Sequence, residues 1–362
     1  MRPKALFGTV VIVGVGLIGG SVGLGTRQRF LAERVVGFDH DPAALEAARG
    51  MGVIDEAQLQ PGAWLREADL VVLASPARTL AAAARQLASF TRHDTIFTDV
   101  GSIKAAVCAE LTDLRFVGGH PMAGSERVGV LHADAGLLEN AVWVLTPSPN
   151  TDPEALARVR TFVEHLGATP LETTPEQHDR LVATVSHLPY LSAVALTELA
   201  AQDGDRDLMM LLAAGGFRDL TRVASGSPRM SRDMVVGNKK PLREALTSFR
   251  RYLDRLELLL DDPETMLTHA EAAKHARDAF PIVRRSLLPA RFEVVIAVPD
   301  RPGELARITQ ALGDAGVNIR DLEVLSVREA GGALRLAFDS EEGLKNGTRA
   351  LTAAGYEARG RG

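Results

Sequence analysis

The sequence predicts an α/β protein in three parts, in which a parallel-sheet domain is followed by a helical segment and a small βαββαβ domain. Three observations predict this architecture. Apolar strands alternate with helical stretches early in the chain, long helical patterns without strand signals begin near Pro175, and a strand-helix-strand-strand-helix-strand order closes the chain. We therefore expect domains at residues 1–172, 173–288 and 291–362.

The composition indicates a globular protein of ordinary charge. The chain has 362 residues, of which 46% are apolar and 24% charged, with 41 basic against 46 acidic side chains. This balance gives no indication of a nucleic-acid-binding face. Cys108 is the only cysteine, so no internal disulfide is expected. A reducing, cytoplasmic location and a buried, structural Cys108 are the simplest predictions.

An uncharged apolar run from Ala5 to Gly25 follows Arg2 and Lys4 and superficially resembles a signal peptide or a membrane span. Seven glycines lie in this run, and each disfavours a helix by up to about 1 kcal/mol relative to alanine. We therefore expect no membrane segment here and look to the spacing of the glycines.

The glycines form the pattern G-x-G-x-x-G directly after the apolar strand TVVIV, at Gly14, Gly16 and Gly19. A second strand ends at Asp39, 20 residues beyond Gly19, where a Rossmann-like dinucleotide-binding domain places an acid on the adenosine ribose. A carboxylate there repels a 2′-phosphate and favours NAD over NADP. The expected cofactor-binding residues are Gly14, Gly16, Leu17, Ile18, Gly19, Asp39, Ser75, Pro76 and Asp99.

Further apolar strands at 68–75 and 94–102 predict right-handed βαβ units. Ligands bind at the carboxyl ends of such strands. Ser75 and Pro76, the stretch 99–102 and the stretch 118–125 should therefore lie on one rim of the sheet, with His120 beside the nicotinamide.

His120 and Ser102 are the candidate catalytic residues. Hydride transfer from a carbinol requires a base for the hydroxyl proton, and a neutral imidazole suits that role. The alternative for His120 is a loop histidine bound to backbone, but its flanking glycines should leave the ring accessible. Ser102 has the alternative of capping the following helix, and both roles are compatible. No histidine spacing indicates a metal site.

The helical segment offers a carboxylate-binding group and an interface. It concentrates Arg218, Arg222, Arg229 and Arg232, of which one can clamp a substrate carboxylate while the others lie on solvated faces. An apolar stripe with helical spacing predicts core packing or a homodimer interface. The stripe consists of Leu246, Phe249, Leu253, Leu256 and Leu260.

The motifs together resemble the bacterial prephenate dehydrogenases that carry a C-terminal ACT domain. The motifs, in chain order, are GVGLIGGS, DVGSIK, GGHPMAGSE, HDRLVATVSHLP and GFRDLTRVASGSPRM. The resemblance implies an NAD-dependent oxidative decarboxylation of prephenate to 4-hydroxyphenylpyruvate, on the route to tyrosine.

The resemblance also implies roles for single residues. His120 would accept the ring hydroxyl proton, Ser102 would orient that hydroxyl and the histidine, and Arg222 would bind a carboxylate. Tyr190 and Ser231 stand where many members have histidine and tryptophan, which leaves prephenate and arogenate open as substrates. The implied substrate-binding positions are Ser186, His187, Tyr190, Gly215 and Arg222.

The stretch VPDRPGELARITQALGDAGVNIRDLEV resembles an ACT domain, a small-molecule sensor of ferredoxin-like fold. The resemblance implies an effector site at Asp300, Gly303, Asn318 and Ile319, for which L-tyrosine is the candidate ligand. The alternative is that the DRPG loop only starts a helix and that the domain binds nothing.

Two other functions stay open at this stage. One is a dehydrogenase for another hydroxy acid or imino acid, which would share the glycine pattern. The other is a regulator that senses NAD and an amino acid without catalysis. The absence of a basic DNA-reading helix pattern disfavours the regulator.

Overall fold

The computed structural model describes residues 5–124, 127–279, 292–299, 301–328, 331–356 and 358–361. The chain divides into two units, Met1–Ala276 and Arg277–Gly362. The first unit holds the predicted parallel-sheet and helical parts, and the second holds the βαββαβ part. The predicted boundaries near residues 172 and 288 stay predictions.

An eight-stranded sheet organises the first unit, with the order β3-β2-β1-β4-β5-β6-β7-β8. Strands β1 to β6 are parallel, as the alternation of strands and helices predicts. The strands are β1 (Phe7–Val13), β2 (Ala32–Phe38), β3 (Glu56–Gln58), β4 (Leu70–Leu73), β5 (Ile96–Asp99), β6 (Phe116–Pro121), β7 (Val142–Thr146) and β8 (Thr169–Glu172).

Helices cover both faces of this sheet, which is why its central strands are continuously apolar. Along β1, Val10 and Ile12 join one hydrophobic core while Val11 and Val13 join the other, because successive side chains point to opposite faces. The helices are α1 (Leu17–Gln28), α2 (Pro42–Gly50), α3 (Leu80–Ala88), α4 (Ala105–Glu110) and α5 (Pro153–His165). This is the predicted Rossmann-like architecture.

The far end of the sheet departs from a purely parallel arrangement. β7 runs antiparallel to β6, with His120 opposite Val144, and then pairs in parallel with β8. The stretch around His120 is therefore the end of a strand, although its glycines suggested a loop. Its backbone is fixed by the pairing with β7.

Seven helices follow the sheet and form the predicted helical segment. A single π-helical turn, Ala183–His187, joins the first two helices, and a 3₁₀ turn, Arg222–Ser225, follows the fourth. The helices are α6 (Pro175–Val182), α7 (Leu188–Gln202), α8 (Arg206–Leu212), α9 (Gly215–Thr221), α10 (Pro228–Gly237), α11 (Lys239–Leu258) and α12 (Pro263–Ala279).

This segment leaves much apolar surface exposed. Of the predicted stripe on α11, Leu246 and Phe249 are only half-buried, and Leu253 and Leu256 are 47% and 42% exposed. The prediction that the stripe packs into a core within one chain is therefore wrong for its second half. The alternative, a homodimer interface, stays a prediction.

The second unit has the predicted βαββαβ order, in a sheet of order β10-β11-β9-β12. Ile308 and Leu312 from its first helix pack with Leu334 and Leu336 of the sheet in one core. The predicted linker at 286–291 lies outside the described residues. The elements are β9 (Glu293–Val298), α13 (Glu304–Asp314), β10 (Asp321–Arg328), β11 (Gly331–Ala337), α14 (Glu341–Ala353) and β12 (Ala358–Arg361).

The apolar N-terminal run is accounted for by β1 and α1. Cys108 is buried as predicted, and burial raises the pKa of its thiol to about 11. Among the helices that the structure describes, none has both the length and the apolar character needed to cross a membrane.

Candidate active site

The glycine pattern forms a tight turn from β1 into α1. Gly14 has a φ of +92°, and a Cβ on it would lie 2.8 Å from the carbonyl oxygen of Ala74. A Cβ on Gly19 would lie 2.0 Å from the carbonyl oxygen of Gly14. These two glycines let strand, turn and helix pack closely, in the roles the fingerprint predicts.

Gly16 has a different surrounding, which fits a bound dinucleotide. No atom lies within 4 Å of a Cβ built on it, and it begins α1 without any side-chain cap. The backbone amides of Leu17 and Ile18 therefore open the helix beside free space, where a helix N-terminus attracts a pyrophosphate. The residues present fit NAD at this turn.

Asp39 is tied to the same turn. Its Oδ2 accepts a hydrogen bond from the amide of Val15 at 3.0 Å, and its Oδ1 accepts from the amide of Asp41 at 3.0 Å. The carboxylate stands at the end of β2, where the fold brings the adenosine ribose. His40 is exposed, as the sequence predicts.

The other predicted cofactor residues differ in accessibility. Ser75 is half-buried and its Oγ has no hydrogen-bond partner among the described residues, so it can take one from a ligand. Pro76 follows it and precedes a short 3₁₀ turn. Asp99 is fully buried, so its side chain is unsuited to the predicted cofactor contact, and only its backbone is left for that role.

The buried Asp99 carboxylate instead pairs with Lys104, which is also fully buried. Asp99 accepts further hydrogen bonds from the amides of Gly101 and Gly119, both at 2.9 Å. The Lys104 ammonium also donates to the carbonyl oxygen of Gly119 at 2.9 Å. This network joins the end of β5 to β6 immediately before His120.

The glycines that flank His120 on its N-terminal side serve packing. A Cβ on Gly118 would lie 2.3 Å from Thr146 Oγ1, and one on Gly119 would lie 2.6 Å from the carbonyl oxygen of Asp99. The prediction that they leave the imidazole accessible was therefore wrong in its reason. They let β6 approach its neighbours, and the ring is half-buried at the sheet edge.

His120 contacts a second histidine from the helical segment. Its Nδ1 lies 2.9 Å from Nε2 of His178, and Nδ1 of His178 lies 2.8 Å from Oδ1 of Asp179. The two rings meet edge to face. Burial lowers the pKa of His120 well below the ordinary histidine value, and the nearby rings of His178 and His187 and the Lys104 ammonium act in the same direction. The imidazole is therefore neutral at neutral pH, as a base requires.

Ser102 does not cap the helix that follows it. That helix, α4, begins at Ala105, and the Asp179 carboxylate accepts from the amides of Lys104 at 2.8 Å and Ala105 at 2.9 Å. The predicted capping role of Ser102 is thus taken by a residue from α6. Ser102 is half-buried at the same rim, and its predicted role in catalysis stays a prediction.

His187 lies in the π-helical turn and is fully buried. Asn238 donates through Nδ2 to the carbonyl oxygen of Asp179 at 2.7 Å, and the same Nδ2 lies 3.1 Å from Nδ1 of His187. Because the amide group donates, Nδ1 accepts and the proton of neutral His187 sits on Nε2. This Nε2 has no partner among the described residues. Burial lowers the pKa of His187 to about 4.

The remaining predicted substrate residues lie along the helical segment. Ser186 stands in the π-helical turn, Tyr190 in α7 and Gly215 at the start of α9, and all three are half-buried. Arg222 is exposed in the 3₁₀ turn, which packs against α7. Arg218, Arg229 and Arg232 are exposed too, which agrees with the solvated faces predicted for them.

In the second unit, Gly303 has a φ of +87° and precedes α13. Asn318 is exposed and Ile319 is half-buried. Asp300 lies outside the described residues. Of the residues the structure describes, no three His, Cys, Asp or Glu side chains are arranged to hold a metal ion.

A dinucleotide-binding turn and a half-buried histidine of lowered pKa on the same sheet edge are the features of an NAD-dependent dehydrogenase. The chain also matches three family models in succession. These are described as the prephenate dehydrogenase nucleotide-binding domain over residues 22–171, the prephenate dehydrogenase dimerization domain over 174–269, and the ACT domain over 292–355.

Individual relatives agree over most of the chain. Prephenate dehydrogenase of Bacillus subtilis strain 168 is 33% identical over 360 residues, which are 96% of this chain and 97% of that protein. The crystal structure of prephenate dehydrogenase from A. aeolicus in complex with hydroxyphenyl propionate and NAD+ covers 77% of this chain and 99% of its own, with a TM-score of 0.72 and 32% identity. Synechocystis arogenate dehydrogenase covers 75% of this chain and 99% of its own, with a TM-score of 0.67 and 32% identity. This chain belongs to the prephenate dehydrogenase family.

Two glycine variants separate folding from cofactor binding. Gly19→Ala should lower the melting temperature by several degrees, because overpacking costs about 1–3 kcal/mol. Gly16→Ala should melt within about 2 °C of wild type but bind NAD at least roughly tenfold more weakly, since its methyl group fills the approach to the backbone. Thermal melts and NAD titrations check both, and unchanged NAD affinity in Gly16→Ala would contradict the assignment.

His187 should make the protein sensitive to acid. The unfolded chain protonates this histidine below about pH 6.5, whereas the folded protein does so only near pH 4. The free energy of unfolding should therefore fall by up to about 3 kcal/mol across that window. The decrease in melting temperature from pH 7 to 4.5 should be smaller in His187→Gln. His132→Gln, at an exposed position, is the matched control. Equal decreases in all three proteins would refute the expectation.

Proposed function

We propose that this protein catalyses the NAD-dependent oxidative decarboxylation of prephenate to 4-hydroxyphenylpyruvate. One observation carries the proposal: a neutral histidine, His120, stands at the carboxyl edge of a dinucleotide-binding sheet. Family membership supports the reaction class.

The chemistry needs a hydride acceptor, a base and a carboxylate anchor. NAD, when bound, accepts the hydride from the ring carbon that carries the hydroxyl. The imidazole of His120 takes the hydroxyl proton. The bond between the ring and its carboxylate then breaks, and its electron pair makes the ring aromatic. The proton returns from His120 to the phenolic oxygen, so atoms and charges balance.

Other residues bind and orient the substrate. Arg222 offers a planar cation for a carboxylate. His187 offers a neutral donor at Nε2, and Ser186 and Tyr190 lie close to it in sequence on the helical segment. Ser102 orients the hydroxyl. The proposed site thus draws its groups from both the sheet and the helical segment.

Arogenate is the second candidate substrate, because Tyr190 and Ser231 replace the histidine and tryptophan of many family members and leave the choice open. A tyrosine and a serine leave the pocket without a titratable imidazole at that position. NADH formation with prephenate and arogenate in parallel separates the candidates. If neither substrate is oxidised, the protein would instead be a dehydrogenase for another hydroxy acid or imino acid, or a sensor.

The proposal includes a homodimer in the cytoplasm. The half-exposed leucines of α11 and the exposed side chains of Leu208, Met210, Leu211 and Leu212 on α8 supply apolar area for a second copy. The match to a dimerization domain over residues 174–269 supports the same segment. A molar mass measured by light scattering tests it.

The proposal also includes L-tyrosine as an effector of the second unit. Tyrosine is the end product of the route that the reaction serves, and the ACT match over residues 292–355 supports a small-molecule site. Suppression of prephenate turnover by tyrosine, lost in Asn318→Ala, would support it. Turnover that ignores tyrosine would refute it.

His120→Asn tests the base. The kcat should fall by about 10²- to 10⁴-fold while KM for prephenate changes little, because the variant keeps the shape of the site and loses the proton acceptor. Steady-state kinetics measure both constants. Normal turnover would remove His120 from the mechanism.

Arg222→Gln tests the carboxylate anchor. Loss of a charged hydrogen-bonded pair should raise KM by about 10- to 100-fold with a smaller effect on kcat. Arg229→Gln, at another exposed position of the helical segment, is the matched control. An unchanged kcat/KM in Arg222→Gln would exclude the role.

A further inference from the structure

Two successive hydrogen bonds connect the proposed base to an aspartate outside the sheet. His120 Nδ1 lies 2.9 Å from His178 Nε2, and His178 Nδ1 lies 2.8 Å from Asp179 Oδ1. His178 and Asp179 are 2% and 3% exposed, so water does not compete for these bonds. Each bond therefore constrains which nitrogen carries a proton.

The Asp179 carboxylate sets the direction of both hydrogen bonds. An ionised carboxylate only accepts, so Nδ1 of His178 must donate. In neutral His178 the other nitrogen, Nε2, is then an acceptor, and Nδ1 of His120 must donate to it. The proton of neutral His120 therefore sits on Nδ1, and its Nε2 carries a lone pair.

The Asp179 carboxylate also accepts hydrogen bonds from the amides of Lys104 and Ala105 at the start of α4. Lys104 already places a buried cation next to the site, and a second cation at His178 would be repelled by it.

We propose that Asp179 is a positioning residue that acts through His178 to hold His120 in the tautomer whose Nε2 accepts the substrate proton. The inference rests on the proposed role of His120 as the base. When Nε2 takes the proton, Nδ1 keeps its hydrogen bond to His178, and the carboxylate stabilises the new positive charge through that bond. Asp179 itself stays ionised throughout.

Asp179→Asn is the informative change because asparagine has nearly the same shape as aspartate but can donate a hydrogen bond where the carboxylate only accepts. The amide group can donate to Nδ1 of His178, which reverses the direction of both hydrogen bonds. His120 would then carry its proton on Nε2 and could not accept another. His178→Gln should instead keep the wild-type tautomer of His120, since the side-chain carbonyl of glutamine still accepts a hydrogen bond from Nδ1 of His120.

The first measurement reads the tautomers directly. In protein labelled with ¹⁵N-histidine, long-range ¹H–¹⁵N spectra distinguish protonated from unprotonated ring nitrogens, and His120→Gln assigns the signals. We expect a protonated Nδ1 and an unprotonated Nε2 for His120 in the wild type and in His178→Gln. Asp179→Asn should show the reverse. This readout needs no turnover, so it stands even where the proposed function fails.

The second measurement is steady-state kinetics with prephenate. Asp179→Asn should lower kcat by about 10³- to 10⁴-fold, the effect of an aspartate-to-asparagine change that imposes the wrong histidine tautomer. His178→Gln should lose only roughly tenfold, the value of one hydrogen bond. KM should change little in both.

A control separates these effects from loss of stability in α6. Thr174→Ala removes the side chain that caps α6 at the amide of Gln177 without touching the histidines. It should lower the melting temperature and leave kcat unchanged. A wild-type His120 with its proton on Nε2 would overturn the proposal, even where Asp179→Asn fails to fold. A His178→Gln variant slower than Asp179→Asn would overturn it too.

Discussion

The buried pair of Asp99 and Lys104 is the interaction on which the site depends. Two charges without solvent are tolerable only when every polar atom around them is satisfied. Here the Asp99 carboxylate accepts hydrogen bonds from the amides of Gly101 and Gly119, and the Lys104 ammonium donates one to the carbonyl oxygen of Gly119. Breaking one partner of such a pair typically costs about 3–5 kcal/mol. The end of β5 and the strand that carries His120 are therefore held at one distance.

A second buried carboxylate, Asp179, joins the helical segment to this frame. Its side chain accepts hydrogen bonds from the two amides at the start of α4 and from the ring of His178. Its backbone carbonyl oxygen accepts a hydrogen bond from the side chain of Asn238. Asp99 thus fixes the backbone directly before His120, and Asp179 contacts the ring of His178, which in turn contacts the ring of His120. Burial lowers the pKa of both His120 and His187.

Local patterns predicted what local sterics determine. The turn at Gly14 and Gly19, the acid at Asp39 and the βαββαβ order all follow from spacing within short stretches. The antiparallel β7 did not, because its pairing with β6 depends on residues distant in sequence. The contacts of His178 and Asp179 span 58 and 75 residues, and Asn238 reaches back 59 to Asp179. Their only local signal was the His-Asp pair that opens HDRLVATVSHLP.

The Asp179 contacts cross from the sheet part to the helical segment, so they limit how the protein can be divided into fragments. A fragment ending after β8 would keep the glycine turn and Asp39, and with them the means to bind a nucleotide. It would also keep His120, but without His178 and Asp179 that ring could rotate and exchange tautomers in solvent. The groups expected to bind the nucleotide thus lie in the sheet part alone, whereas the contacts that orient the His120 ring cross to the helical segment. A sheet moved into another protein would keep the first set of groups and lose the second.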